Sequence, residues 1–174
     1  MLELRTAPVS ADGNRLGGYA MKWNAPSLPL VVRGLNGGRP FTERIVPEAV
    51  SSSASNNVSL LIGHDRRELL ATTKSGRLSI RSDDTGLAFD VDLPDTQRAR
   101  DVRAMVDAGI YREMSFGFYV KRDSWSGSER TLLDIDLREL SIVSDAAYGS
   151  QTTVEARNHM PHLWRLRLRL RSIP

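Results

Sequence analysis

Three residues of this chain could act together on a substrate: Ser115, His64 and Glu139. Ser115 lies in Met114-Ser115-Phe116-Gly117-Phe118, a serine inside an apolar, aromatic, glycine-bearing run rather than a polar loop. His64 closes Val58-Ser59-Leu60-Leu61-Ile62-Gly63-His64, where Val58, Leu60, Ile62 and His64 share one face at the strand period of two. Glu139 stands between Thr131 and Val143 as the one charge on the side that carries Leu133, Ile135, Leu137, Ser141 and Val143. Nucleophilic acyl transfer needs such a set. A serine hydroxyl is a weak nucleophile unless an imidazole takes its proton, and the imidazolium so formed needs a fixed anion behind it. Each residue also has an ordinary reading. His64 could serve packing, Ser115 could be a small residue that lets a neighbour approach, and Glu139 could be a buried ion-pair partner of Arg112 or Arg138. The other two histidines, His159 and His162, flank Pro161 in the polar C-terminal segment, which leaves His64 as the histidine available to an ordered site.

The elements that must carry these residues are mostly strands. Leu87-Ala88-Phe89-Asp90-Val91-Asp92-Leu93 alternates cleanly, predicting Leu87, Phe89, Val91 and Leu93 inward and Asp90 and Asp92 outward. Pro94-Asp95-Thr96 follows and supplies an N-cap, Ala99, Val102 and Met105 or Val106 recur at helical spacing, and Gly109 offers a stop, so one helix of about three turns is expected there. From Ile110 the period returns to two, with Met114, Phe116, Phe118 and Val120 on one face and Ser115, Gly117 and Tyr119 on the other, until Ser124-Trp125-Ser126-Gly127-Ser128 predicts a turn. Breakers between Ser27 and Pro40 predict a long surface loop, and Ser51 to Asn57 a short polar break. Strands separated by turns, with no internal repeat, point to a mainly β chain with helices (α+β), a closed or strongly curved, mostly antiparallel barrel flanked by a few helices.

Composition limits the chemistry further. The chain of 174 residues suits one domain. It contains no cysteine, which excludes a thiol nucleophile, a disulfide framework and cysteine-ligated metal sites. No run approaches the roughly 18 apolar residues of a membrane span, and Met1 to Arg5 lack a signal-peptide core, so a soluble, cytoplasmic protein is expected. The net charge of +3 is concentrated at the C-terminus in Arg157, Arg165, Arg167, Arg169 and Arg171. The nearly neutral remainder argues against a dedicated nucleic-acid surface.

Taken in order, several segments resemble the prohead maturation proteases of tailed phages, a family related to the herpesvirus assembly proteases. Gly18-Tyr19-Ala20 resembles the first strand, and Phe41 to Val50 the Glu-x-Ile-x-Pro-Gly-Ala-Phe element. Leu60-Leu61-Ile62-Gly63-His64-Asp65 resembles the histidine motif. Asp107-Ala108-Gly109 leading to Met114-Ser115-Phe116-Gly117-Phe118 resembles the serine motif, and Leu137 to Val143, with Ala146-Ala147-Tyr148 and Val154 to Arg157, the acidic motif and domain end. Glu48 departs from the family's glycine, and Asp145 and Gly149 from its common prolines.

The resemblance implies a serine endopeptidase with Ser115 as nucleophile, His64 as general base and Glu139 as orienting acid, needing no cofactor and no metal. Asp65, Asp134 and Asp136 are poorer acids because period two points them away. It implies oxyanion donors in the Ser144 to Ser150 loop, a protease domain over residues 1–157, and a basic Leu/Arg tail over 158–174. Substrates would be the scaffolding protein or the scaffold segment of the major capsid protein, cut inside the immature procapsid in the host cytoplasm, with self-processing. No membrane partner is implied, and a homodimer or larger oligomer is compatible with it. The alternative is a catalytically inactive scaffold or capsid-assembly protein that keeps the protease fold. Nucleic-acid binding through the arginine tail ranks last.

Overall fold

The alternating run read from Leu87 onwards forms a strand over Gly86–Asp92 in the computed structural model, which describes residues 14–53, 56–144 and 155–157. In chain order the strands are β1 (Arg15–Lys22), β2 (Thr42–Ile45), β3 (Ser59–Ile62), β4 (Asp65–Thr72), β5 (Leu78–Ser82), β6 (Gly86–Asp92), β7 (Glu113–Ser126), β8 (Glu129–Val143) and β9 (Glu155–Arg157). Only one α-helix occurs among the described residues, α1 (Gln97–Asp107), where a few helices were expected. Thr96 caps it by accepting from the Ala99 N–H, and Ala99, Val102 and Val106 are buried. Gly109, at φ +69°, takes the left-handed conformation that ends a helix. The boundary at 157/158, the tail and all of the Ser144 to Ser150 loop after Ser144 lie outside the described residues.

The strands form two sheets, and neither closes into a barrel. The first is antiparallel, in the order β5-β6-β1-β9. The second is organised around β8. Antiparallel β7 lines one edge of β8, while the other edge is shared in succession by two parallel strands, β2 against Glu129 to Leu132 and β3 against Glu139 to Ile142. Between those two stretches, side chains take the place of a strand. The buried Ser53 hydroxyl donates to the Ile135 carbonyl and accepts from the Leu137 N–H, and Asn56 Nδ2 donates to the Leu137 carbonyl and to Asp136. Ser51 to Ser53, expected in a polar break, thus belong to a 3₁₀ turn over Pro47–Ser53 that completes the β8 edge. One core joins both sheets and the helix, with Leu16 and Met21 of β1, Phe89 of β6, Met114 of β7, Val102 of α1 and Leu132, Ile135, Leu140 and Ile142 of β8. Each such aliphatic side chain contributes about 1.5–3 kcal/mol on burial.

Two expectations about facing are corrected. Asp90 does not point into solvent: it is buried and ion-paired with Arg15 of β1, while Asp92 is exposed. In β8, strict alternation fails because Leu133 and Arg138 have no partner in the β7 register, which pairs Asp134 with Arg122 but Leu132 with Asp123, and Leu137 with Phe118 but Glu139 with Gly117. Each extra residue is a bulge that flips the facing of the residues after it. The side chains that β8 gives to the hydrophobic core therefore run Leu132, then Ile135 and Leu137, then Leu140 and Ile142. Glu139 lies on the face opposite that core rather than among the aliphatic residues. β7 also runs on to Ser126, so the turn expected from Ser124 shrinks to Gly127 and Ser128.

Candidate active site

His64 is not the last residue of a strand. β3 ends at Ile62, which pairs with Asp65 of β4, and Gly63 and His64 are the two central residues of the hairpin turn. Both have positive φ, +57° and +62°, the signature of a type I′ turn. Glycine takes this conformation freely, whereas a left-handed histidine costs roughly 1–2 kcal/mol. The turn is anchored by the Gly63 N–H donating to the Ile142 carbonyl at 3.0 Å, which ties it to β8. The imidazole consequently reaches over β8 towards β7.

There it meets the other two residues. His64 Nδ1 lies 2.5 Å from Glu139 Oε1, and His64 Nε2 lies 2.9 Å from Ser115 Oγ. A carboxylate only accepts, so the geometry assigns the ring proton to Nδ1 and leaves the Nε2 lone pair to accept from the Ser115 hydroxyl. The histidine side chain is 44% exposed and that of Glu139 17%, so the serine and base are open to a substrate while the acid sits deeper. Glu139 finds its partner in His64 rather than in Arg112 or Arg138, the alternative ion-pair partners. Arg112 donates to the Gly109 carbonyl, and Arg138 pairs with Asp136 at 2.5 Å.

Two of the other candidate carboxylates, Asp65 and Asp136, are occupied elsewhere. Asp65, next to His64 in sequence, turns to Arg67, whose side chain and backbone N–H hold its carboxyl below the ordinary aspartate range. Asp136 is held low in the same way by Arg138, with Asn56 adding a further hydrogen bond. Neither contributes to the His64 cluster.

Two residues around Glu139 were not singled out as site residues from the sequence. Ser141 is fully buried, faces Ser115 directly across the β7–β8 ladder and donates to Glu139 Oε1 at 3.5 Å. Gly117 is paired with Glu139 itself. Their signal is the strand register, which no single-strand pattern contains. An open groove of about 350 Å³ between β3, β4 and β8 touches the cluster at Glu139 and is lined also by Ser59, Leu61, Arg66, Leu69 and Arg138.

Among the described residues no helix is long and apolar enough to cross a membrane. No curated protein matches the chain. A family model described as caudovirus prohead serine protease matches residues 2–163, nearly the whole length, and a serine, a histidine and a carboxylate meeting in one hydrogen-bonded line are what a serine peptidase uses. The chain belongs to the caudovirus prohead serine protease family.

Proposed function

We propose that this protein is a serine endopeptidase of phage procapsid maturation in which Ser115 is the nucleophile, His64 the general base and Glu139 the orienting acid. The observation that carries the reading is the single imidazole bridging Ser115 Oγ and Glu139 Oε1 through its two nitrogens. As Ser115 Oγ attacks a scissile peptide carbonyl, Nε2 takes the hydroxyl proton, and the positive ring is held by the Glu139 carboxylate on its other side. The tetrahedral intermediate collapses when His64 returns that proton to the leaving amine. Water, activated by the same nitrogen, then attacks the acyl-enzyme and regenerates Ser115. Every step uses one proton passed through one ring, so no metal or organic cofactor is needed for it.

In this reading the substrates are the scaffolding protein or the scaffold segment of the major capsid protein, cut inside the immature shell in the host cytoplasm, together with the protease itself. The groove beside Glu139 offers such a segment two leucine side chains, Leu61 and Leu69, and two guanidinium groups, Arg66 and Arg138. Residues 1–157 form the protease domain in this reading, and the Leu/Arg segment 158–174 is a tail that docks an acidic scaffold or is removed by self-cleavage.

Co-expression with the scaffold and capsid proteins tests the proposal. Processing is expected with the native chain and its loss with Ser115→Ala; processing that continues in the variant refutes it. Labelling of the purified chain by a fluorophosphonate, mapped to Ser115 by mass spectrometry, separates the enzyme from an inactive assembly protein of the same fold.

A further inference from the structure

Gly117 lies in the middle of β7, where glycine is a poor choice because it adds no packing and loses more chain freedom on folding than any other residue. The backbone does not demand it. Gly117 is absent from the residues with positive φ, so any residue could take its conformation. What demands it is space. A Cβ at this position would lie 2.5 Å from Glu139 Cγ, 2.9 Å from its Cδ and 3.1 Å from its Oε1, and these are the three nearest atoms. Ordinary contact begins near 3.4 Å, and all three crowded atoms belong to the one side chain that holds His64.

We infer that Gly117 is a positioning residue of the catalytic cluster: its missing side chain is the seat in which the Glu139 carboxylate lies. The inference rests on the proposed roles of Ser115, His64 and Glu139. The seat works from below as the register works from the side. Glu139 is paired with Gly117 immediately after the bulge at Arg138, so its side chain leaves β8 over the β7 backbone rather than over another side chain. Oε1 then comes to rest with the Ser141 hydroxyl at 3.5 Å and His64 Nδ1 at 2.5 Å. A methyl group at 117 would have to push Glu139 Cγ by nearly 1 Å to regain ordinary contact, and the short bond to Nδ1 cannot follow. A misplacement of about 1 Å costs on the order of 100-fold in rate, with complete loss of the acid, about 10⁴-fold, as the ceiling.

The test is a double-mutant cycle on the full chain, read as the second-order rate constant for fluorophosphonate labelling of Ser115, alongside thermal unfolding. Gly117→Ala is expected to slow labelling on the order of 100-fold and to lower the melting temperature. Introduced into a Glu139→Ala background, where the crowded atoms are gone, the same substitution is expected to leave the labelling rate unchanged and to hold or raise the melting temperature. In proton NMR, the downfield resonance of an imidazole Nδ1 proton bonded to a carboxylate is expected in the native chain and lost in Gly117→Ala. The inference is overturned if the two losses multiply, if Gly117→Ala labels like the native chain, or if it fails to fold in both backgrounds. Recovery of folding in the Glu139→Ala background supports it even where the single variant does not fold. A native chain that is not labelled at Ser115 overturns the proposed function itself and this inference with it, an outcome distinct from the others.

Discussion

Replacing Glu139 by glutamine isolates the charge of the acid from its shape. Oε1 of Glu139 accepts from two donors, His64 Nδ1 and the Ser141 hydroxyl. An amide that places its oxygen there keeps both bonds, whereas one that places its NH₂ there forces the ring proton to Nε2, where it would point at Ser115 and abolish the base. With the oxygen inward, the cost reduces to the lost attraction between a carboxylate and the imidazolium of the transition state. At charge centres about 4 Å apart that attraction is roughly 1 kcal/mol in bulk water and about 4 kcal/mol at an effective dielectric of 20. His64 is 44% exposed and Glu139 17% exposed, which puts the site between those limits. About 2–4 kcal/mol corresponds to roughly 30- to 1,000-fold in rate. Glu139→Ala, which also frees the ring, is expected to approach about 10⁴-fold. The assay is the labelling rate of Ser115, with the melting temperature as a control for folding. A Glu139→Gln variant within 3-fold of the native rate would refute a role for the carboxylate charge. One as slow as Glu139→Ala would refute the orientation assigned to the amide.

Other predictions concern the frame that carries the site. Ser53→Ala removes the hydroxyl that serves both the Ile135 carbonyl and the Leu137 N–H on the stretch of the β8 edge between β2 and β3, and is expected to cost about 1–3 kcal/mol in chemical denaturation; a cost under about 0.5 kcal/mol would show that this edge does not need its substitute strand. Arg130 is buried between Glu43 at 3.0 Å and Asp123 at 2.7 Å, so Arg130→Ala is expected to lose about 3–5 kcal/mol by leaving the 5%-exposed Glu43 without that guanidinium. Adding Glu43→Gln to it is expected to recover a large part of the loss, and no recovery would move the explanation to packing against Trp125.

The catalytic candidates were legible because residue type is local. A serine among aromatic residues, a histidine at the end of an apolar run and a glutamate among aliphatic ones can each be seen without knowing what lies across the sheet. Their directions were not legible. Period two carried Glu139 into the core because Leu133 and Arg138 look like any other strand residues, and only their lack of partners on β7 makes them bulges. Period two reads Gly63-His64 as strand because the alternation of Val58, Leu60 and Ile62 runs straight into it, although glycine and histidine both tolerate a left-handed turn better than most residues. The edge strands β4 and β5 were missed for a related reason: Asp65-Arg66-Arg67-Glu68 does not alternate, being held by pairing to β3 on one side only. α1, by contrast, was legible to its caps, since Thr96, Ala99, Val102, Val106 and Gly109 act within one short stretch of chain.

The two departures from regular geometry at His64 and Glu139 answer one spatial demand. Ser115 faces Ser141 across the ladder, so Glu139 is a diagonal neighbour of the serine on the adjoining strand. Diagonal side chains stand roughly 7–8 Å apart at the backbone, too far for a direct hydrogen bond and close to what a bridging imidazole spans. A ring supplied from within β7 or β8 would stand parallel to its neighbours and meet neither end-on. It has to come from above the sheet, and the nearest chain able to rise there is the end of β3, which runs parallel to β8 and stops at Ile62 beside Ile142. A tight left-handed turn at that point lifts His64 over β8 at a strain of roughly 1–2 kcal/mol. The bulge at Arg138 turns Glu139 to the same face, and Gly117 leaves it room to lie flat. Each irregularity would be a defect alone; together they set a spacing at which one imidazole holds a serine and a carboxylate at once.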